Sequence, residues 1–550
     1  MKNLTYLLFI QALLFVSCSK ETPHADRIII NATIWTGDEH NPEAQAMAIA
    51  GDTLLAVGST AEIEKFKANN TEVIDLNGAF VTPGFIDCHV HFLAGGFNLS
   101  GVQLRDARTR EEFVQRIKAF AETIPDGTWI LGGDWDHENW GGELPSREWI
   151  DAVTPNHPVW ITRLDGHMSL ANSVALKLSD IDNSVKDVDG GTIVRDAKGN
   201  LTGIFKDNAA NLIDNHVPEP TAGQTDKALQ AAMEYVASFG VTSVHHMAGY
   251  MDAFDRARKN NTMITRVYAM YPISRWKTLD DRIKREGRGD NWLKTGGLKG
   301  FVDGSLGSHT AAFFEPFTDT PDDSGFFVNT PEQLYEWVSE ADKAGLQLVI
   351  HAIGDRAINT LLNIYERVEN ENGAKDRRYR IEHAQHIQPS DFPRFASLKV
   401  IPSMQPYHAI DDGRWAEKLI GAERIKTTYA FKSLFDAGAR VAFGSDWFVA
   451  PPTPLEGIYA AVTRRTIDGM NPDGWVPEQK ITVEQALIAY TRNAAYASFD
   501  ENIKGTLTAG KLADFVVLSD DLRTIAPEQI QHVKVLKTWV GGKEVYRINE

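Results

Sequence analysis

Six side chains in this 550-residue chain are of the kinds that can hold a divalent cation: His89, His91, Lys299, His351, His383 and Asp446. His89 and His91 stand two apart in an apolar run, FIDCHVH. On a β-strand, residues i and i+2 point to the same side. His351, His383 and Asp446 each close another short apolar run. Neutral imidazole and carboxylate are the donors that a zinc-type ion takes. Lys299 is harder to place. An ammonium repels a cation, but burial favours the neutral amine. A neutral amine can add carbon dioxide and become a carbamate, which behaves as a bridging carboxylate. Equally, Lys299 could pair with Asp303 or cap a strand end. The two cysteines, Cys18 and Cys88, can supply neither a disulfide framework nor a four-thiolate zinc site.

These side chains need a scaffold that brings distant runs to one place. Eight apolar runs alternate with long amphipathic segments between residues 83 and 499: FIDCHVH, VTSVHHM, TRVYAMY, GLKGFVDG, LQLVIHAIG, RIEHAQHI, VIPSMQP and RVAFGSD. Helix-start signals lie between them, Thr330-Pro331-Glu332-Gln333 and Thr482 with Gln485. Gly240 and Gly345 sit where helices stop before strands. Buried strands alternating with helices predict an α/β fold, a parallel (β/α)8 TIM-like barrel. In that fold the strand C-termini form the active-site mouth. The stretch 94–225 after the first strand is too long for a loop and predicts an inserted subdomain or lid. Segments 27–82 and 500–550 alternate β-rich runs with Gly and Asp turns, which predicts one small β-sandwich domain built from both termini.

The formal net charge of −18 argues against a nucleic-acid partner. At the N-terminus, Lys2 precedes an apolar run, Leu4 to Val16, that is too short to cross a bilayer. It predicts a signal peptide over 1–17. Cys18 at the cut point predicts lipidation there, with 18–26 as a tether; an ordinary secretory signal is the other reading. The chain is thus expected to be exported, as a lipoprotein anchored in a bacterial membrane on its periplasmic or cell-surface side. The lipid would be its only membrane contact.

The ligand order on strands one, four, five, six and eight resembles the amidohydrolase superfamily. Longer strings are similar to its YtcJ-like branch, amidohydrolase family 3: VTPGFIDCHVH (81–91), WILGGDWDHENW (129–140), RLDGHMSLANSVAL (163–176), GLKGFVDGSLGSHTA (297–311), HAIGDRA (351–357), RIEHAQHI (380–387) and GSDWFVAPPTPLEG (444–457). The resemblance spans nearly everything from Ile28 to Tyr546. It implies hydrolysis of a non-peptide carbon–nitrogen bond, of N-acyl or N-formyl amide type, in a small-molecule substrate. It implies one or two divalent ions, with zinc the expected metal. His89 and His91 would hold the more buried ion, His351 and His383 the other. Carboxylated Lys299 would bridge them, and Asp446 would complete the first site and carry the proton. Lys206 in the insert is a rival for the bridge.

Substrate contacts are expected from the insert, at Trp129, Trp135, Trp140, Asp165 and His167, and from Arg356 after the fifth strand, although the aromatic residues could simply pack the insert and Arg356 could lock its loop. His386 is expected to support the ligands. An ester, lactone, phosphoester or ring-deamination chemistry would use the same machinery. A catalytically inactive small-molecule-binding lipoprotein is the reading from another class. A homo-oligomer is left open.

Overall fold

The computed structural model describes residues 24–549. The signal peptide expected at 1–17, Cys18 and most of the tether lie outside the described residues.

Eight parallel strands form the centre of the molecule: β1 (Phe85–Val90), β2 (Val241–His246), β3 (Arg266–Pro272), β4 (Leu293–Phe301), β5 (Gln347–Ala352), β6 (Arg380–His383), β7 (Ile401–Met404) and β8 (Ala442–Phe443). Each pairs with its sequence neighbour, in the order 1-2-3-4-5-6-7-8. The ring closes just beyond β8, where Val90 and Trp447 form a parallel bridge. There Asp446 N donates to His89 O at 2.7 Å, and His91 N donates to Trp447 O at 2.6 Å. Gly444 permits the closure: a Cβ there would lie 2.5 Å from His89 N. The expected TIM-like barrel is therefore present.

The strands are buried on both faces, as parallel strands covered by helices must be. Helix α1 (Ala222–Ala237) starts at a capping box between Thr221 and Gln224. Helix α2 (Pro331–Lys343) starts where Thr330 accepts from Gln333 N, with Pro331 in its first turn. Gly240 and Gly345, with φ of 81° and 72°, turn the chain out of a helix towards β2 and β5.

The insert has its own six-stranded sheet. Its spatial order is Gly191–Arg195, Leu201–Asp207, Met168–Ala171, Val159–Arg163, Ile130–Trp135, Val102–Gln103. Both faces are covered, one by Phe113, Ile117 and Ile150, the other by Ala175, Leu176 and Ile213. Segments from the two ends of the chain meet in a second unit. Phe80–Pro83 pairs antiparallel with Phe515–Leu518 inside a six-stranded sheet. A four-stranded sheet built from Arg27–Ile30, Ala46–Ala50, Thr53–Gly58 and Glu72–Asp75 lies beside it, and Ile29, Met47, Phe515 and Trp539 share one apolar core.

Candidate metal centre and its cavity

The C-terminal ends of β1, β4, β5, β6 and β8 bring the six sequence-selected residues to one place. His89 is completely buried on β1. Its Nε2 lies 3.3 Å from Lys299 Nζ on β4 and 3.4 Å from Asp446 Oδ1 beyond β8. His91 Nε2 is 3.3 Å from the same Asp446 oxygen. The His383 ring on β6 stands 5.0 Å from the His89 ring and 4.5 Å from the His351 ring on β5. His383 and Asp446 hold left-handed backbone, φ 69° and 64°, unusual for residues with a Cβ and most often kept where function needs it.

Burial drives the imidazoles of His89, His351 and His383 well below their ordinary pKa, with Lys299 and neighbouring histidines adding to the effect. They are neutral, as metal ligation requires. Burial also brings the Lys299 amine down to about 8, only partly offset by Glu382 and Asp446. The pairing of Lys299 with Asp303 does not form. Asp303 instead accepts from the backbone N–H groups of Ala312, Ile353 and Gly354, and lies 3.5 Å from His351 Nε2.

Two buried polar atoms test whether the pocket suits a cation. His383 Nδ1 and Asp446 Oδ1 have no hydrogen-bond partner among the described residues. Leaving such atoms unpaired costs about 1–3 kcal/mol each. One ligand atom each from His89, His383 and Asp446 fall within 4.8 Å of one another. Two neutral imidazoles and a carboxylate converging on one spot are the donor set that a divalent ion fits.

The supporting residues are fixed by hydrogen bonds. Glu382 Oε2 lies 2.6 Å from His89 Nδ1, so the proton there turns His89 Nε2 towards the cluster. Arg380 anchors Glu382 through Nε and Nη2, and also donates to Cys88 O and Ser403 Oγ. Asp87 accepts from Ser445 Oγ and Ser445 N, fastening the segment before Asp446 to β1. Sequence reasoning missed Glu382 and Arg380. The available signal was a pair of charges two apart inside an apolar run.

A cavity of about 350 Å³ opens above the cluster, lined by His91, Lys299, His351, His383 and Asp446 together with residues of the insert. Of the expected substrate contacts, Asp165 and His167 line it. Burial alone would lower the His167 imidazole, but Asp207, 2.6 Å from its Nδ1, outweighs burial and raises it. Asp165 accepts from Arg163, Ser305 and Ser308, and so latches the insert onto the loop after β4. Gly307 lets that loop pass Arg163, since a Cβ there would lie 2.8 Å from the guanidinium.

Three expected contacts are placed away from the cavity. Trp135 is fully buried in the insert core and donates Nε1–H to Ile161 O. Trp140 packs on Phe113 and Trp149 and donates to Glu143 O. Arg356 lies over the Phe327 ring and donates to Gly325 O, which makes it a loop lock. None of the three lines the cavity. Trp129 likewise packs inside the insert. Lys206 donates to Ser308 O at 2.8 Å and is a second latch. His386 is held by Thr428 and Phe313, away from the cluster. His408, Asp411 and Asp412, on helix α3 (Pro406–Asp412) after β7, line the cavity and were missed.

The sequence profile of the amidohydrolase family matches residues 72–546. The chain belongs to the amidohydrolase family. This amidohydrolase is 40% identical to the Arabidopsis thaliana protein LONG AFTER FAR-RED 3, over 99% of this chain and 96% of that one. It is 31% identical to the protein YtcJ of Bacillus subtilis, over 93% and 98% of the two chains. Identity to the N-substituted formamide deformylase of Arthrobacter pascens is 29%, over 95% and 98%. Among solved structures it resembles a metal-dependent hydrolase of Pyrococcus horikoshii OT3, with a TM-score of 0.75, 28% identity and coverage of 91% and 99%. Fold, family and cluster together identify a metal-dependent hydrolase of the amidohydrolase type.

Proposed function

We propose that this amidohydrolase cleaves the carbon–nitrogen bond of a small N-acyl or N-formyl amide. The reading is carried by the convergence of His89, His383 and Asp446, two of them with buried atoms unpartnered among the described residues, beneath the cavity. Similarity to a protein named as an N-substituted formamide deformylase supports the amide class. In this reading His89, His383 and Asp446 hold a divalent ion, zinc by donor type, with His91 close to Asp446. His351 and Lys299 would hold a second ion, Lys299 as the carbamate that forms when its neutral amine adds carbon dioxide and releases a proton. Bound there, a divalent ion supplies Lewis acidity, bringing a water's pKa towards 7 and polarising a carbonyl oxygen.

The chain's own groups do the rest. Asp446 takes the proton of the attacking water and passes it to the leaving nitrogen. Glu382 keeps His89 in the ligating tautomer. The latched insert keeps bulk water from the reacting carbonyl. His167 faces the same cavity and holds the substrate.

Metal analysis of the purified protein, paired with assays on N-formyl and N-acetyl amines and on the matching esters, tests the reading. Bound metal with chelator-sensitive amide cleavage is expected. A protein that binds no metal, or that cleaves only the esters, overturns it. Export through residues 1–17 and acylation of Cys18 complete the proposal; incorporation of an alkyne fatty acid into the wild-type chain but not Cys18→Ser is the expected result.

A further inference from the structure

The charges around the cavity limit what the rest of the substrate can carry. Apart from histidines, two lining residues have a basic side chain, Arg163 and Lys299. Arg163 is already charge-matched by two carboxylates, Asp165 and Asp136. Its Nε donates to His137, Nη1 to Asp165 at 2.7 Å and Nη2 to Asp136 at 3.1 Å. Lys299 lies against His89 in the metal cluster. His167, through Nδ1, is charge-matched by Asp207, which leaves only its Nε2 edge for the substrate. An anionic substituent would therefore enter without a counter-ion, next to carboxylates.

The opposite charge would be met. Asp412 lines the cavity and accepts from Tyr429 Oη at 2.6 Å and Gln385 Nε2 at 3.0 Å, both on Oδ2. No cation is paired with it among the described residues, whereas neighbouring Asp411 is paired with Arg414 and Arg105. Burial pushes the Asp412 carboxyl up to about 7, a penalty that a bound cation would relieve. Trp415, three residues on, lines the same wall, and an indole face attracts a cation. His408, on the same short helix, offers a buried Nε2 with no partner among the described residues. Gln385 lies two residues beyond His383, so this wall adjoins the metal cluster.

We infer that the substrate's nitrogen substituent carries a protonated amine seated between Asp412 and Trp415, and that substrates with a carboxylate there are refused. The inference rests on the amide-hydrolase reading of this site and narrows it to N-acylated diamines and similar cationic amides.

Three formamides sharing one linear alkyl chain and ending in ammonium, methyl or carboxylate test it on the zinc-loaded full protein. The expected kcat/KM order is ammonium, methyl, carboxylate, with about tenfold between successive members. In Asp412→Asn the ammonium-to-methyl ratio is expected to fall to about one. Trp415→Leu should lower the same ratio and serves if the first variant does not fold. An equal or better carboxylate substrate, or an unchanged ratio in both variants, overturns the inference. Calorimetric binding of the three compounds to the wild-type protein ranks them without turnover. Tighter ammonium binding with no hydrolysis would keep the inference and remove the amide reading; equal binding would remove the inference itself.

Discussion

The two ends of the barrel each bury an ionic cluster, and they differ in whether protein atoms complete it. At the N-terminal end of β3, Arg266 meets Asp514 of the small β unit through two hydrogen bonds, 2.6 and 2.9 Å. Arg266 also donates to Asn291 O, and Asp514 accepts from Gly541 N. Every strong partner there is another part of the chain. At the opposite end, His383 Nδ1 and Asp446 Oδ1 remain without hydrogen-bond partners among the described residues at similar depth. Burial alone therefore does not mark function. A buried ionic group whose geometry is saturated holds the fold together; one left open at a strand C-terminus is built for something the chain does not contain.

The sharpest way to break this comparison is at the open end. Asp446→Asn is expected to lower turnover about 10²- to 10⁴-fold while leaving the circular dichroism spectrum unchanged, because it removes a proton carrier and no packing atoms. Substantial remaining activity would return Asp446 to a structural role. At the closed end the expected pattern reverses. Arg266→Ala strands a buried carboxylate and should cost about 3–5 kcal/mol, read as a lower urea midpoint, with metal content of the folded fraction unchanged. A third measurement compares the two ends directly. Zinc at a hundredfold excess over its Kd should stabilise the protein by about 2.7 kcal/mol, and His383→Ala should remove most of that gain. Loss of the gain in Arg266→Ala as well would mean that the two ends are not independent.

Smaller effects sharpen the picture. Glu382→Gln should weaken metal binding by about 10- to 100-fold in a competition titration, since it loosens the tautomer of His89. Last, the His167 imidazole is raised by Asp207 against the lowering effect of burial. Its contribution to stability is complete below the unfolded value of about 6.5 and fades as pH rises through the higher folded value. Stability-versus-pH curves of metal-free protein should therefore show a small decline across that window that is missing in His167→Gln.

The cluster was legible because its chemistry is written in residue types that rarely sit in apolar runs. His89, His91, Lys299, His351, His383 and Asp446 each interrupt a strand pattern, and the barrel rule places all of them at one rim. The insert was less legible for a specific reason. Trp135 reads as an alternating-strand residue facing away from Ile130, yet both lie in one core. A bulge between Gly133 and Trp135, with Asp134 at φ 52°, shifts the register by one and turns the indole inward. No local pattern announces that shift. Asp412 and His408 were missed because they lie on a helix after β7 rather than on the strand itself, where a single charge ordinarily means a solvated face. Arg356 left two readings open because a guanidinium at a strand-end loop serves a backbone carbonyl as readily as a ligand.

The ring closes through hydrogen bonds made by the ligands' own backbone, Asp446 N to His89 O. A nascent or truncated polypeptide that stops short of the last strand therefore carries the histidines but neither Asp446 nor the bonds that hold His89 and His91 in register with it. The final stave sets the last of the six side chains in place.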